Sequence, residues 1–493
     1  MKLSELCLCL GKHKGYDFVE KEVSGITYDS RKIKKGNVFV AIKGNKLDGH
    51  DFIGNAVEKG ASVLVVEKRI ESTSLRIPQI LVSDTRQALA NMSDHFFGKP
   101  SARMTVIGIT GTNGKTTTSY FMKSIINASS EEAGLIGTIH YKIGGRIIPA
   151  LETTPESAEI QNYLSQMLNA GIRYAVIEAS SHALSQHRLS GVRFSSAIFT
   201  NLSADHLDYH RNMKNYLAEK LKLVKGLSPG AVTILNADHT ISKRFAEYTS
   251  SRTIYWYGIK RKNADVVAES VQVTGTSTSF LLNSSWGKAF IKLKLAGKHN
   301  VYNALAAAAS ALALGFTMDI VKKGVESLSA VPGRLENIAC GQDFRVFVDF
   351  AHTHKALQVI LSSLREMTTG RILLVFGCGG DRDRKKRPKM GYVAEKYSDL
   401  FWVTSDNPRS EDPYRIIQDI QKGLSQSARF HIQPDRRLAI KEVLMEAKSG
   451  DSVIIAGKGH EQYQISKDTI IPFDDREVVR EMLSAYTLHT LCV

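Results

Sequence analysis

The sequence predicts an α/β protein of three units. These are a small α/β unit over residues 1–100, a central unit over 101–330 built on a parallel sheet, and a doubly wound, Rossmann-like unit over 331–493. Three observations carry this expectation. At 493 residues the chain exceeds one ordinary domain, and roughly three is the natural division. Short β-branched apolar runs alternate with segments of helical spacing, the pattern of a parallel sheet. Polar, chemically distinctive loops follow several of those runs directly, as at the carboxyl ends of parallel strands.

In the first unit, Gly25–Arg31 reads as strand then turn, and Gly36–Ile42 as a second strand. A helical stretch from Phe52 to Lys59 leads to strands over Ala61–Glu67 and Gln79–Val82. Arg86 to Phe97 has helical spacing and stops at Gly98-Lys99-Pro100. No catalytic signature falls in this stretch.

The central unit opens on Met104-Thr105-Val106-Ile107, then Gly108 to Thr118, read GITGTNGKTTT, then a helical run from Ser119. Strand, glycine loop, Gly-Lys-Thr and helix form a phosphate loop. Gly111, Thr112, Asn113 and Gly114 bring backbone amides to an anion, and the helix N-terminus adds partial positive charge. Lys115 can reach a terminal phosphate, and Thr116 can join a magnesium shell. The glycine spacing is shorter than usual, because the ordinary first glycine would fall at Ile109. Gly144-Gly145 reads as a hairpin turn, and Thr153-Thr154-Pro155 as a turn before an amphipathic helix. Tyr174–Ile177 is a buried strand delivering Glu178, then Ser180-Ser181-His182; Ala197–Asn201 delivers Asp205-His206. Alone, Glu178 could be a satisfied charge and His206 a helix cap; beside a phosphate loop in one sheet, both gain a ligand reading. The helix Asn215–Val224 carries Lys220, which periodicity does not distinguish from the solvated Lys222 and Lys225. Residues 265–295 are β-rich, with a hairpin at Ser284–Gly287, and Gly297-Lys298-His299-Asn300 opens an alanine-rich helix over Val301–Leu314.

The third unit follows Val331-Pro332-Gly333-Arg334. Its strands are Arg345–Phe350, Ile372–Phe376, Leu400–Thr404 and Val453–Ala456. Polar motifs succeed each: Ala351-His352-Thr353, Gly377–Arg382, Asp406-Asn407-Pro408-Arg409 and Gly457–Glu461. Four such motifs on one sheet edge predict a second binding surface.

Composition bounds the function class. Hydrophobic residues are 43% and charged residues 23%, ordinary for a globular protein. No apolar run reaches membrane-spanning length, and Leu3–Leu10 lacks the flanks of a signal peptide. Five scattered cysteines have neither metal-ligand nor disulfide spacing, so a cytoplasmic setting is expected. The net charge of +16 suits anionic small molecules; no nucleic-acid motif accompanies the basic run Arg382–Lys389. Neither nucleic acid nor membrane is an expected partner, and a monomer is.

Taken together, these motifs resemble the Mur ligases, ATP-dependent amino-acid ligases of peptidoglycan precursor synthesis. The resemblance covers essentially the whole chain. It is carried by Gly111–Thr116, Glu178–His182, Asn201–Asp208, Gly297–Asn303 and Gly333–Glu336. Asp406-Asn407-Pro408-Arg409 resembles the form of the diaminopimelate-adding members. The resemblance implies addition of meso-diaminopimelate to UDP-N-acetylmuramoyl-L-alanyl-D-glutamate, with ATP as substrate and Mg²⁺ as cofactor. It implies catalytic roles for Lys115, Glu178, His206 and Lys220. The ATP would be held by Gly111, Thr112, Asn113, Gly114, Lys115, Thr116, Thr117, His299, Asn300, Asn303, Arg334 and Asp349. Thr116, Glu178, His206 and a carbamylated Lys220 would serve magnesium. The UDP-muropeptide falls to Ser30, Thr153, Thr154, Ser180, Gln186 and Arg188, and diaminopimelate to Arg382, Asp406, Asn407, Arg409, Gly457 and Glu461. Arg409 offers a bidentate fork to a carboxylate, and Glu461 can pair with an ammonium. The chain departs from the family at Glu219, where Ala is usual, at Phe350 for Tyr, and at His354 for Pro. The alternatives are the same reaction with L-lysine, a folylpolyglutamate synthase, a nucleic-acid-dependent NTPase, and a non-catalytic nucleotide-binding descendant.

Overall fold

The computed structural model describes residues 1–10, 21–44, 47–71, 77–274, 277–467 and 469–490. Three sheets organise the chain, each covered on both faces. The first has the order β1 (Gly25–Thr27), β2 (Asn37–Val40), β3 (Val63–Val66), β4 (Gln79–Leu81), all parallel. Val38, Val40, Val63 and Val65 pack on one face with Leu89 and Met92 of the helix Thr85–Phe96; Phe39, Leu64 and Val66 pack on the other.

The central strands are β5 (Thr105–Thr110), β6 (Ala133–Ile136), β7 (His140–Ile143), β8 (Arg146–Pro149), β9 (Tyr174–Glu178), β10 (Ser196–Phe199), β11 (Val232–Asn236), β12 (Thr253–Gly258), β13 (Val266–Val273), β14 (Thr278–Ser284) and β15 (Gly287–Leu293). Among the described residues they form one sheet in the order β15-β14-β13-β12-β11-β10-β5-β9-β6-β7-β8. Its parallel middle holds β5 between β10 and β9, with Ile107 opposite both Ser196 and Val176. Both wings are antiparallel: the β7–β8 hairpin turning at Gly144, and β14–β15 turning at the expected Ser284–Gly287. The expectation identified the hairpins but not β11 or β12. The alanine-rich helix Lys298–Ala313 is small enough to bury against the helix Lys115–Ala128 and the sheet together.

The last sheet runs β16 (Glu336–Asn337), β17 (Arg345–Asp349), β21 (Ser452–Ala456), β18 (Ile372–Phe376), β19 (Leu400–Val403), β20 (Phe430–Ile432). All its pairs are parallel except β16 with β17. A separate hairpin, β22 (Tyr463–Ser466) with β23 (Thr469–Pro472), follows Glu461. Neither β20 nor this hairpin was expected; each is short, and most of its residues are half-buried or exposed, so neither leaves an apolar signature. No described helix is long and apolar enough to cross a membrane.

Candidate active site

β5 ends at Thr110, and the chain turns through Gly111 (φ 148°) and Gly114 (φ 85°) into the helix Lys115–Ala128. Glycine is required at 114 twice over: φ is positive, and a Cβ would overlap the Asn303 Oδ1. The Lys115 Nζ donates to the carbonyls of Gly111 and Thr112, each at 2.9 Å, so it is curled back over the loop it serves. Burial lowers its pKa, against the raising influence of Glu178 and Asp205.

Glu178, fully buried, closes β9 one strand away. Its Oε2 accepts from the hydroxyls of Thr116 and Thr138, both at 2.9 Å, and its Oε1 accepts from the Thr138 amide at 3.0 Å. A buried carboxylate is thus held against the phosphate-loop threonine. Arg334 reaches the same hydroxyl from the far end of the chain, donating from Nη2 to Thr116 Oγ1 at 3.1 Å while its guanidinium lies 4.6 Å over the Phe350 ring.

His206 sits at φ 53°, with its Nε2 3.4 Å from Asp205 Oδ2 and 41% of its side chain exposed. Its ring meets His182 edge-on at 4.8 Å, and burial holds its pKa below the ordinary histidine range. Lys220 is not the solvated charge that its neighbours suggested. It is 1% exposed, its Nζ donates to the Gly111 carbonyl at 2.8 Å, and it lies 4.5 Å over Tyr216. Burial, then the nearby Lys115, push its pKa well below 10.5.

One cleft of about 920 Å³ gathers most of the expected residues. From the central unit come Thr112, Asn113, Gly114, Lys115, Thr116, Thr117, Thr153, His206, His299, Asn300 and Asn303; Arg334 and Asp349 follow. From the last sheet's edge come Arg382, Asp406, Asn407, Arg409, Gly457 and Glu461. The four motifs expected on the last sheet's edge all contribute to the lining, and that edge shares one cleft with the glycine-loop edge. Asp349, at the end of β17, accepts from the amides of Leu335 (2.6 Å) and Ala351 (2.7 Å), and burial raises its pKa to about 6. Asn303 donates to Asn300 Oδ1, and His299 Nδ1 lies 3.3 Å from Ser363 Oγ.

Gly111, Glu178 and Lys220 stand behind this lining. Ser30, Thr154, Ser180, Gln186 and Arg188 are not part of the lining. Arg188 donates to the Thr154 carbonyl at 2.7 Å and to Gln186 Oε1 at 2.8 Å, while Thr154 Oγ1 donates to the Glu178 carbonyl at 2.6 Å. Glu156 takes both Arg188 (3.1 Å) and Arg86 of the first unit (2.9 Å), and Tyr28 donates to Glu159 at 3.0 Å. Ser30 is buried at the start of a 3₁₀ turn capped by Asp29.

In the last unit, Arg409 (φ 52°) donates from Nη1 to the Gly380 carbonyl at 2.8 Å, and Asn407 donates to Glu461 Oε2 at 2.8 Å. Gly457 has φ 116°, and a Cβ there would stand 2.7 Å from Asp406 Oδ2. The residue-level reading missed other lining groups: Asp238, which accepts from three successive amides and from Tyr302, and Lys386, which donates to the carbonyl of the expected His352 at 2.9 Å. Lys386 lay inside the basic run Arg382–Lys389, where it was indistinguishable from surface charge.

Comparisons with known proteins agree with this arrangement. Residues 22–97 match the Mur ligase family catalytic domain, 109–311 the Mur ligase middle domain, and 333–459 the Mur ligase glutamate ligase domain. A protein of Aquifex aeolicus named UDP-N-acetylmuramoyl-L-alanyl-D-glutamate–2,6-diaminopimelate ligase is 44% identical over 94% of this chain and 95% of its own. One of the same name from Clostridium tetani is 42% identical over 98% of this chain and 99% of its own. A solved structure of a ligase of that name superposes with a TM-score of 0.69 at 31% identity, covering 99% of this chain and 100% of that one. A chain so similar over nearly its full length, with a glycine loop leading into Lys115 and the polar Asp406–Arg409 loop around one cleft, belongs to the Mur ligase family.

Proposed function

We propose that the chain is an ATP-dependent ligase. It joins meso-2,6-diaminopimelate to the D-glutamyl side-chain carboxylate of UDP-N-acetylmuramoyl-L-alanyl-D-glutamate in peptidoglycan precursor synthesis. The observation that carries the reading is the single cleft in which the phosphate loop faces the Asp406–Arg409 loop; relatives of that name support the substrate assignment.

The glutamyl carboxylate oxygen attacks the γ-phosphorus of ATP, and ADP leaves. An amine of diaminopimelate then attacks the acyl carbon, loses a proton, and phosphate departs. The chain contributes mainly position and charge. The loop amides and Lys115 hold the phosphates; Thr116, which lines the cleft, and Glu178, the carboxylate bonded to it at 2.9 Å, are the oxygen donors that would hold a magnesium ion. Magnesium, when bound, neutralises the phosphate oxygens as charge shifts between them. Among the described residues no three His, Cys, Asp or Glu side chains form a cage, which suits a cation that takes much of its shell from phosphates and water. His206 and a carbamylated Lys220 would serve a second ion. The lowered pKa of Lys220 increases the share of neutral amine, the form that adds to carbon dioxide, forming the N–C bond and releasing a proton. His299, Asn300, Asn303, Arg334 and Asp349 surround the nucleotide, and Ser30, Thr153, Thr154, Ser180, Gln186 and Arg188 the muropeptide. The reaction needs only small, water-soluble substrates, and we place it in the cytoplasm, carried out by a monomer.

The test is ligation with purified protein, ATP, Mg²⁺ and the UDP-dipeptide, with diaminopimelate and L-lysine supplied separately. Diaminopimelate is expected to support tripeptide formation. A preference for lysine would remove Arg409 from its role as carboxylate receiver.

A further inference from the structure

Lys458 follows Gly457 at the end of β21 and is completely buried. Its Nζ donates to Asn407 Oδ1 at 3.2 Å, Glu461 Oε2 at 3.1 Å and the Tyr463 carbonyl at 2.6 Å. Three acceptors about one nitrogen are the full complement of an ammonium. This side chain stands behind the cleft wall, whereas Asp406, Asn407 and Glu461 form that wall. The reaction as described does not use it.

Two consequences follow from where it sits. The first is orientation. Glu461 Oε2 is committed to Lys458 and to Asn407 Nδ2, which leaves Oε1 for the cleft. Asn407 Oδ1 is committed to Lys458 and to the Ile465 amide at 3.0 Å, so its Nδ2 must point to Glu461. The second is charge. Behind Asp406 and Glu461 stand two buried cations: Arg436, already paired with Asp475, and Lys458, which bonds Glu461 directly. Lys458 is the cation that compensates Glu461 directly, and Arg409 and Arg382 supply further positive charge along the same cleft. A ligand head bearing both ammonium and carboxylate then finds both partners. A head bearing ammonium alone leaves Arg409 without an anion.

We propose that Lys458 is a positioning and selectivity residue: it fixes Glu461 and Asn407, and by compensating the Asp406–Glu461 corner it biases the pocket toward a zwitterionic side-chain head over a lone ammonium. This rests on the diaminopimelate reading above.

The experiment uses the full chain with Lys458→Met and Lys458→Gln, assayed with ATP, Mg²⁺ and UDP-dipeptide against diaminopimelate and L-lysine. The expected result is a rise of about tenfold or more in KM for diaminopimelate, with KM for ATP within about threefold. The ratio of kcat/KM for diaminopimelate to that for lysine should fall about tenfold. Lys458→Met added to Glu461→Gln should move that ratio by less than about threefold relative to Glu461→Gln alone, because the one acid that Lys458 bonds directly is gone. An unchanged ratio in a folded variant overturns the proposal. So does a parallel rise in all three KM values, or failure of both variants to fold, since Lys458 would then serve the fold alone. A wild-type chain that ignores diaminopimelate sinks the assigned reaction itself, and an active wild type with an unmoved variant ratio sinks only the role of Lys458.

Discussion

Lys220 owes its chemistry to being nearly sealed, with one carbonyl and one aromatic face for company. Carbon dioxide adds to the neutral amine, the form that burial favours at Lys220, so ¹³C-labelled bicarbonate should give a carbamate resonance in the wild type that Lys220→Ala lacks. Lys220→Ala should also lower kcat by about a hundredfold or more, on the scale of losing a preorganised charge at a reacting phosphate. Lys115→Ala should abolish ATP-dependent phosphate release altogether; unchanged release would remove the phosphate-loop assignment. Asp349 offers a test by pH. Burial raises its folded pKa to about 6 from an ordinary 3.8, so the folded state holds this proton more tightly than the unfolded chain. Its stabilising contribution is full below pH 3.8 and is lost as pH rises through about 6. Denaturant midpoints of the wild type should therefore fall across that window relative to Asp349→Asn, and parallel pH profiles would contradict the assigned proton.

At the scale of elements, chemistry was legible where a motif and its context shared one short stretch. The strand Thr105–Thr110, the glycine loop and the helix after it lie within 24 residues, and β9 announces itself by an apolar run ending in Glu178. Lys220 was invisible for the opposite reason. Its helix carries lysines at 214, 220, 222 and 225, and which of them is buried depends on where the helix docks. Asp238 and Tyr302, 64 residues apart, meet at 2.8 Å with no local signature at the aspartate. The resemblance to a family supplied roles that spacing could not. The loop glycines give an element-level prediction: Gly114→Ala must hold a Cβ at φ 85° against Asn303, so ATP affinity should fall about tenfold or more. An unaltered affinity would mean that the loop is free to relax away from the Lys298–Ala313 helix.

Across the whole molecule, the central sheet and the last one are joined where Gly333 and Arg334 pass the Gly459–His460 turn. Gly333 has φ 64°, and a Cβ there would overlap the His460 backbone nitrogen; a Cβ at Gly459 would in turn stand 2.7 Å from the Gly333 carbonyl oxygen and 2.8 Å from the Phe350 Cβ. Arg334 leaves this crossing to lie on the Phe350 ring and bond Thr116, and Phe350 packs at 5.0 Å on the His460 ring, next to Glu461. The missing tyrosine hydroxyl therefore leaves the stack itself intact. A side chain at 333 must push apart two backbones that no rotamer change can clear, and the displacement falls on the residue that touches the phosphate-loop threonine. Gly341 is the matched control: its φ is 95°, with nothing within 4 Å of a Cβ. Both Gly→Ala changes carry the left-handed strain of about 1 kcal/mol, so both should lower Tm, Gly333→Ala by more because of its backbone overlap. Gly333→Ala alone should also raise KM for ATP, by about tenfold. Equal effects of the two substitutions on KM would show that the crossing strains the backbone without aligning the two halves of the cleft.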